Sequence, residues 1–253
     1  MSPSALVAHE KREFASEIKF LLDPATAVAV RAWARERLVA DPNAQGFAGD
    51  TYEVTSLYFD TPDLDVFHRR GLHEHSKFRV RRYGDETFYF ERKLKIRGRL
   101  AKRRVPATPA DVARLSGPPG AADWAGLWFQ KKIAGRRLQP QCQISYERTA
   151  RVLMTTAGPI RLTLDEASRA LPTDEIRFQD ASAAVPVTER VILELKYRRD
   201  FPVLFRELVA QFTLNPLPFS KYRAALPVLG LVPVLAPGLP QFVPEKIRTC
   251  QTS

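Results

Sequence analysis

Cysteine is nearly missing from this chain. Cys142 and Cys250 are the only two in 253 residues, far apart and in no metal-ligand spacing. That argues against a disulfide framework and leads us to expect a reducing, cytoplasmic setting. The N-terminus lacks the apolar core of a signal peptide. No uninterrupted apolar run reaches the ~18–20 residues of a membrane span; the longest uncharged stretch, Ala224 to Pro244, is broken by five prolines. Internal repeats and a Ser-His-Asp set are also lacking. Acidic residues are the scarcer charge, 28 against 39 Lys and Arg, for a formal net charge of +11. With a 45% hydrophobic share and three Trp, the composition is that of a globular fold, not a disordered polycation. The length allows one large domain or two small ones.

The positive charge is concentrated. Between Arg69 and Arg104 there are 14 Lys and Arg against 4 Asp and Glu, the signature of a polyanion site. This stretch reads as short strands rather than a basic tail. Side chains on a strand alternate between faces, so Lys77, Arg79, Arg81 and Tyr83 share one face, opposite Phe78 and Val80. After a Gly84-Asp85 turn, Tyr89, Glu91, Lys93 and Lys95 share a face, opposite Phe88 and Phe90. Further on, Lys102 and Arg104 lie together.

The same pattern recurs along the chain. Phe14 to Leu22 sets Glu17 and Lys19 against Ile18 and Phe20. Thr51 to Asp60 is β-branched and aromatic. Gln141 to Met154 puts Tyr146 and Arg148 on a common face. Ile160 to Asp165 opposes Arg161, Thr163 and Asp165 to Ile160, Leu162 and Leu164, and Val191 to Lys196 opposes Glu194 and Lys196 to three aliphatics. Helices are expected from Asp23-Pro24 to about Val39, with Val28, Ala32, Trp33 and Leu38 on its apolar side. Others start at Thr61-Pro62, at Thr108-Pro109, over Asp123 to Ala134, and from Asp200-Phe201-Pro202 to about Phe212. His73-Glu74-His75 and Arg82, Arg92, Arg97, Arg99 and Arg103 read as solvent-side or rim residues, and Trp33, Trp124 and Trp128 as core.

About eight strands that pair a charged face with an apolar one imply an α+β fold. The economical form is a closed antiparallel eight-stranded β-barrel, its apolar sides outward under helices and its charges inward around a ligand. Two like charges 4 Å apart repel by about 4 kcal/mol at an effective dielectric of 20. Such a lumen therefore calls for a multiply charged anion with a metal. Glu17, Glu91, Asp165 and Glu194 would relieve the repulsion or hold the metal.

The pieces EIKFLL, SLYFDTPDL, KFRVRRYG, FYFERK, AKRR, SYERTAR, IRLTLD, ILELKY and PFSKYRAAL, in that order over about residues 13–226, resemble the VTC (vacuolar transporter chaperone) polyphosphate polymerase domain of the CYTH-like triphosphate tunnel metalloenzymes, in a bacterial-type stand-alone form. The resemblance implies a triphosphate tunnel over residues 13–226, between a flexible arm at 1–12 and a proline-rich tail at 227–253. It implies that Lys19, Arg79, Arg81, Lys93, Lys102, Arg148, Arg161 and Lys221 bind phosphate and carry catalysis. Tyr146, Ser220 and Lys196 would contact substrate, and Glu194 would hold Mn²⁺ or Mg²⁺. The implied reaction moves the γ-phosphate of ATP onto inorganic polyphosphate, with positioning and charge neutralisation in place of a protein nucleophile. Strand one carries Glu17-Ile18-Lys19 where many CYTH enzymes have a fuller Glu-x-Glu-x-Lys, which favours the polymerase branch over a triphosphatase. The other readings are a triphosphate hydrolase, a non-catalytic polyphosphate-binding module, and nucleic-acid binding, which would need outward-facing cations and stacking platforms. No specific nucleic acid and no transmembrane segment are expected, and the residues identify no membrane-protein partner.

Overall fold

A computed structural model describes residues 16–42, 49–85, 87–96, 99–118 and 124–233. The arm and most of the tail, from residue 234 on, lie outside them, as do the side chains of residues 95–100. The strands are β1 (Ser16–Leu22), β2 (Val39–Ala40), β3 (Thr51–Asp60), β4 (Ser76–Tyr83) and β5 (Thr87–Ile96), then β6 (Arg99–Ala107), β7 (Gln139–Thr155), β8 (Gly158–Pro172), β9 (Val185–Pro186) and β10 (Val191–Tyr197). The helices are α1 (Pro24–Arg37), α2 (Asp65–His68), α3 (Pro109–Arg114), α4 (Leu127–Gly135), α5 (Val203–Gln211) and α6 (Lys221–Val228).

Eight strands form one antiparallel path, β1-β10-β8-β7-β3-β4-β5-β6, with the short β2 and β9 added on β7 and β8. The α+β class and the eight-stranded path match the sequence expectation, but the closed ring does not. Among the described residues β1 and β6 share no ladder. The physical reason lies at the free edge of β1, where the Lys19 carbonyl accepts the Leu217 N–H at 2.8 Å; the segment leading into α6 occupies that edge. The sheet nevertheless curls far enough for Lys93 on β5 to meet Glu17 on β1 at 3.1 Å.

Alternation decides which side each residue takes. Phe20, Leu22, Leu162, Leu164, Leu193 and Leu195 point outward and are buried against Val30, Trp33 and Ala34 of α1 and Phe205 and Leu208 of α5. Across the other half, Leu57, Phe59, Phe78, Val80 and Phe90 pack with Phe129 and Ile133 of α4. Phe129 has no exposed surface and sits 5.6, 5.8 and 5.3 Å from the rings of Phe59, Phe78 and Phe90. Truncating such a residue to Ala costs about 3–5 kcal/mol.

Local signals set the helix ends. Asp23 caps α1 by accepting the Thr26 N–H at 2.9 Å, with Pro24 in the first turn. Thr108 and Asp111 form a reciprocal capping box on α3. The buried face of α1 runs through Ala27, Val30, Trp33 and Ala34, and two residues expected on that face are exposed, Val28 at 61% and Ala32. The helix expected at Thr61 begins at Asp65, because the Thr61 hydroxyl accepts the Asp65 N–H from four residues back. Pro227 lies inside α6, so that helix runs past the expected tail boundary to Val228.

Candidate active site

With the apolar sides committed outward, the other face of the strands forms the lining of a tunnel, in which carboxylates sit among cations in three groups. On β5, Glu91 is 1% exposed and lies 2.6 Å from Arg79, 2.5 Å from Lys102, 3.4 Å from Arg104 and 3.7 Å from Arg81. The antiparallel registers Arg79↔Glu91↔Arg104 place these groups side by side. Burial alone would raise the Glu91 carboxyl, but Arg79, Lys102, Arg81 and Arg104 outweigh it and hold the group well below the ordinary carboxylate range.

The second group spans β1 and β10. Lys19 reaches Glu194 at 2.5 Å and Glu17 at 3.4 Å, and Lys196 reaches the same pair at 3.0 and 3.7 Å. Burial and the neighbouring Glu194 push the Glu17 carboxyl up, yet Lys93, Lys196 and Lys19 prevail and bring it down to about 2. In the third group Arg148 binds Asp165 with both arms of its fork, at 2.5 and 2.6 Å, and Lys221 of α6 donates to the same carboxylate. Asp165 has no exposed surface. Burial opposes its charge, but Arg148 and Lys221 depress it to about 2.

Tyrosines fill the spaces between the charges. Tyr58 accepts from Arg79 at 3.2 Å and Tyr52 from Arg161 at 3.1 Å. Ser56 accepts from Arg81 at 3.1 Å. Burial raises the Tyr83 hydroxyl, but Arg81, Arg104 and Lys102 together outweigh it and bring it down to about 7.

The structure brings together the residues expected to carry the chemistry. Lys19, Arg79, Arg81, Lys93, Lys102, Arg148, Lys196 and Lys221 all contact Glu17, Glu91, Asp165 or Glu194. Arg161 stands at the edge of this set, paired with Asp41 at 2.6 Å. Tyr146 offers its ring face, which lies 4.3 Å from the Lys221 ammonium and 5.3 Å from the Arg148 guanidinium. Ser220 caps α6 and accepts from Lys77 at 2.8 Å. The flanking expectations hold in part: His75 and Glu74 are about half exposed while His73 is partly buried, Arg82 and Arg103 face outward over Phe178 and Trp128, and the side chains of Arg97 and Arg99 lie outside the described residues.

Lys77, Arg104, Asp41, Tyr52 and Tyr58 join the lining without having been picked out as site residues. Alternation alone placed Lys77 and Arg104 on the inward face. Tyr52 and Tyr58 sit in an aromatic strand that reads as core, and Asp41 in a loop. Burial, then Lys93 and Lys19, hold the Lys77 amine well below its ordinary value.

Glu17 and Glu194 are the two hard oxygen donors that could hold a divalent metal. Glu17 and Glu194 face the same Lys19 and Lys196 ammoniums, which stand where positive charge is needed. Among the described residues no group of three or more His, Cys, Asp or Glu gathers. The donor set therefore fits an ion that keeps waters and takes phosphate oxygens as its remaining ligands.

An antiparallel sheet curled around buried lysines, arginines and carboxylates, with helices outside, defines a cationic tunnel protein. The VTC domain family model matches residues 14–229, and the chain belongs to that family. Among solved structures it resembles a Bacillus halodurans protein named as an adenylate cyclase, with 14% identity over 81% of this chain and 95% of that one and a TM-score of 0.50. It also resembles the Hippeastrum protein HpAC1, described as having a dominant triphosphatase activity, with 13% identity over 88% of this chain and 98% of that one and a TM-score of 0.50. No curated protein sequence matches. No helix among the described residues is long and apolar enough to cross a membrane.

Proposed function

We propose that this protein is a metal-dependent polyphosphate polymerase that moves the γ-phosphate of ATP onto a growing polyphosphate chain. The observation that carries the reading is the inward cationic lining, in which Arg79, Arg81, Lys102 and Arg104 converge on the single carboxylate of Glu91. A linear polyanion matches that spacing of charge along an axis better than a duplex would, and the outward Arg82 and Arg103 are engaged with aromatic rings rather than presented as a basic patch. Arg forks take phosphate oxygens two at a time, and lysines supply compact charge. Glu194 with Glu17 would hold Mn²⁺ or Mg²⁺, which when bound neutralises charge on the reacting phosphate oxygens. Arg79, Arg81, Arg148, Lys19, Lys93, Lys102, Lys221 and Arg161 would orient donor and acceptor. The attacking oxygen belongs to phosphate, so a protein nucleophile is not needed.

Hydrolysis of triphosphates in the same tunnel is the second reading, favoured by the activity described for the Hippeastrum protein. Incubation with ATP, Mn²⁺ and a short phosphate primer, with chain lengths resolved on a gel, separates the two. Lengthening supports the polymerase. Orthophosphate release without lengthening supports the hydrolase, and tight binding without either product leaves a binding module.

A further inference from the structure

The two ends of the tunnel differ in chemistry. At the end marked by the β4–β5 turn, Tyr83 lies 5.8 Å from Tyr52 and 5.8 Å from Tyr89, ring to ring. The Arg104 guanidinium sits 3.4 Å over the Tyr89 ring and 5.0 Å from that of Tyr83. Glu91 holds the same arginine at 3.4 Å, and the Arg104 side chain keeps one third of its surface exposed. Toward the other end the lining turns to Lys77 and Lys93, with Ser220 beside Lys77. The aromatic pair there, Tyr58 stacked on Tyr222 at 5.4 Å, is sealed, at 6% and 1% exposure.

We infer that the Tyr89–Arg104 pair is a subsite for the purine base of a nucleoside triphosphate, with the phosphates running inward and the γ-phosphate innermost. This rests on the phosphate-binding reading above and adds an orientation to it. A guanidinium plane pinned on one side by an aromatic ring presents its other side to a stacking base. Successive inward positions on a strand are about 7 Å apart, so the stack begins one step beyond Glu91 and the arginines around it. A base held there directs the phosphates toward Lys93 and Lys19, beside the Glu17–Glu194 pair. The metal-capable carboxylates then lie at the γ-phosphate, the group that is transferred, and the growing chain occupies the lysine end.

The test titrates ATP and inorganic tripolyphosphate separately, with Mg²⁺, into the wild type and into Tyr89→Leu and Tyr89→Phe. Stacking on one side chain accounts for about tenfold in affinity. Tyr89→Leu is expected to weaken ATP by about that factor while tripolyphosphate moves less than about twofold, and Tyr89→Phe to leave both unchanged. Equal losses for the two ligands, or an unmoved ratio, overturn the inference alone. Failure of tripolyphosphate to bind the wild type overturns the phosphate reading and this one with it. A readout without variants is the wild-type NMR contact between adenine protons and tyrosine ring protons in the ATP complex, whose absence at saturation also refutes the subsite.

Discussion

Glu91→Gln isolates the electrostatic logic of the tunnel, because it keeps the side-chain shape and removes one charge. Glu91 is 1% exposed, so its ion pairs are poorly screened. Arg79, 17% exposed and 2.6 Å away, is the largest single partner, while Lys102 and Arg104, at 41% and 33% exposure, are discounted for solvent screening. Removing one partner of a buried pair costs about 3–5 kcal/mol, and the repulsion among the remaining cations acts in the same direction. For a chain of this size the lower figure lowers Tm by roughly 6–12 °C. Tripolyphosphate should reverse the loss. In the wild type the anion competes with Glu91 for the same cations, whereas in the variant it meets them unpaired. Its binding therefore tightens, and a concentration of about 1,000 times Kd adds about 4 kcal/mol. Thermal melts with and without tripolyphosphate measure both effects. A variant within about 0.5 kcal/mol of wild type, or equal ligand-induced shifts in the two proteins, would refute the reasoning.

Four further outcomes are expected. Arg79→Ala or Lys221→Ala should lower turnover by about a hundredfold or more, and Arg82→Ala, on the outer face, by less than about twofold; equal losses in a steady-state assay would contradict the face assignment. Glu194→Gln should impair metal-dependent turnover while tripolyphosphate binding in chelator persists, which calorimetry checks. Glu17 and Asp165 have folded values near 2, below the ~4 of an unfolded chain. Their contribution is fully present above about pH 4.5 and is lost as pH falls toward 2, so urea midpoints should hold from pH 7 to 5 and drop below 4. Tyr222→Phe removes the 2.7 Å donor to Asp60, a carboxylate with no exposed surface that also accepts the N–H groups of Val66 and Phe67. It should cost about 1–3 kcal/mol in denaturation with tripolyphosphate affinity unchanged.

The face of each charged residue on β4 was legible because alternation is geometric. Lys77, Arg79 and Arg81 on β4 cannot share a side with Phe78 and Val80, and the structure keeps them apart. Strand neighbours were less accessible, since pairing β1 with β10 joins segments 175 residues apart, and nothing local in Lys19 names Glu194. Closure was misjudged because an edge can be satisfied by any N–H, and here Leu217 takes the Lys19 carbonyl. Tyr52 and Tyr58 were hidden for another reason. An aromatic strand reads as core whether its tyrosines are buried against leucines or hydrogen-bonded to arginines, and Arg161 and Arg79 supply the second environment only once the sheet has curled.

Folding and binding place opposite demands on a cationic tunnel. An unpaired lining would repel itself, yet a lining fully neutralised by its own carboxylates would have little left for phosphate. The three carboxylate groups resolve this unequally. Asp165 is held by both arms of Arg148 and by Lys221, with no exposed surface, so exchanging its partners would strand a buried charge. That carboxylate belongs to the frame, and Arg148 and Lys221 would meet phosphate only with the N–H groups that Asp165 does not take. Glu17 and Glu194 are instead paired mainly through lysine ammoniums on flexible stems, Lys19 and Lys196 for both and Lys93 for Glu17, with an Arg148 nitrogen 3.9 Å from Glu194. Those contacts can turn from carboxylate to phosphate without breaking a planar fork, which frees both carboxylates for a cation at the moment the anion arrives. Lysine between β1 and β10 and arginine against Asp165 thus divide the lining into a part that exchanges partners and a part that keeps the strands in register around it.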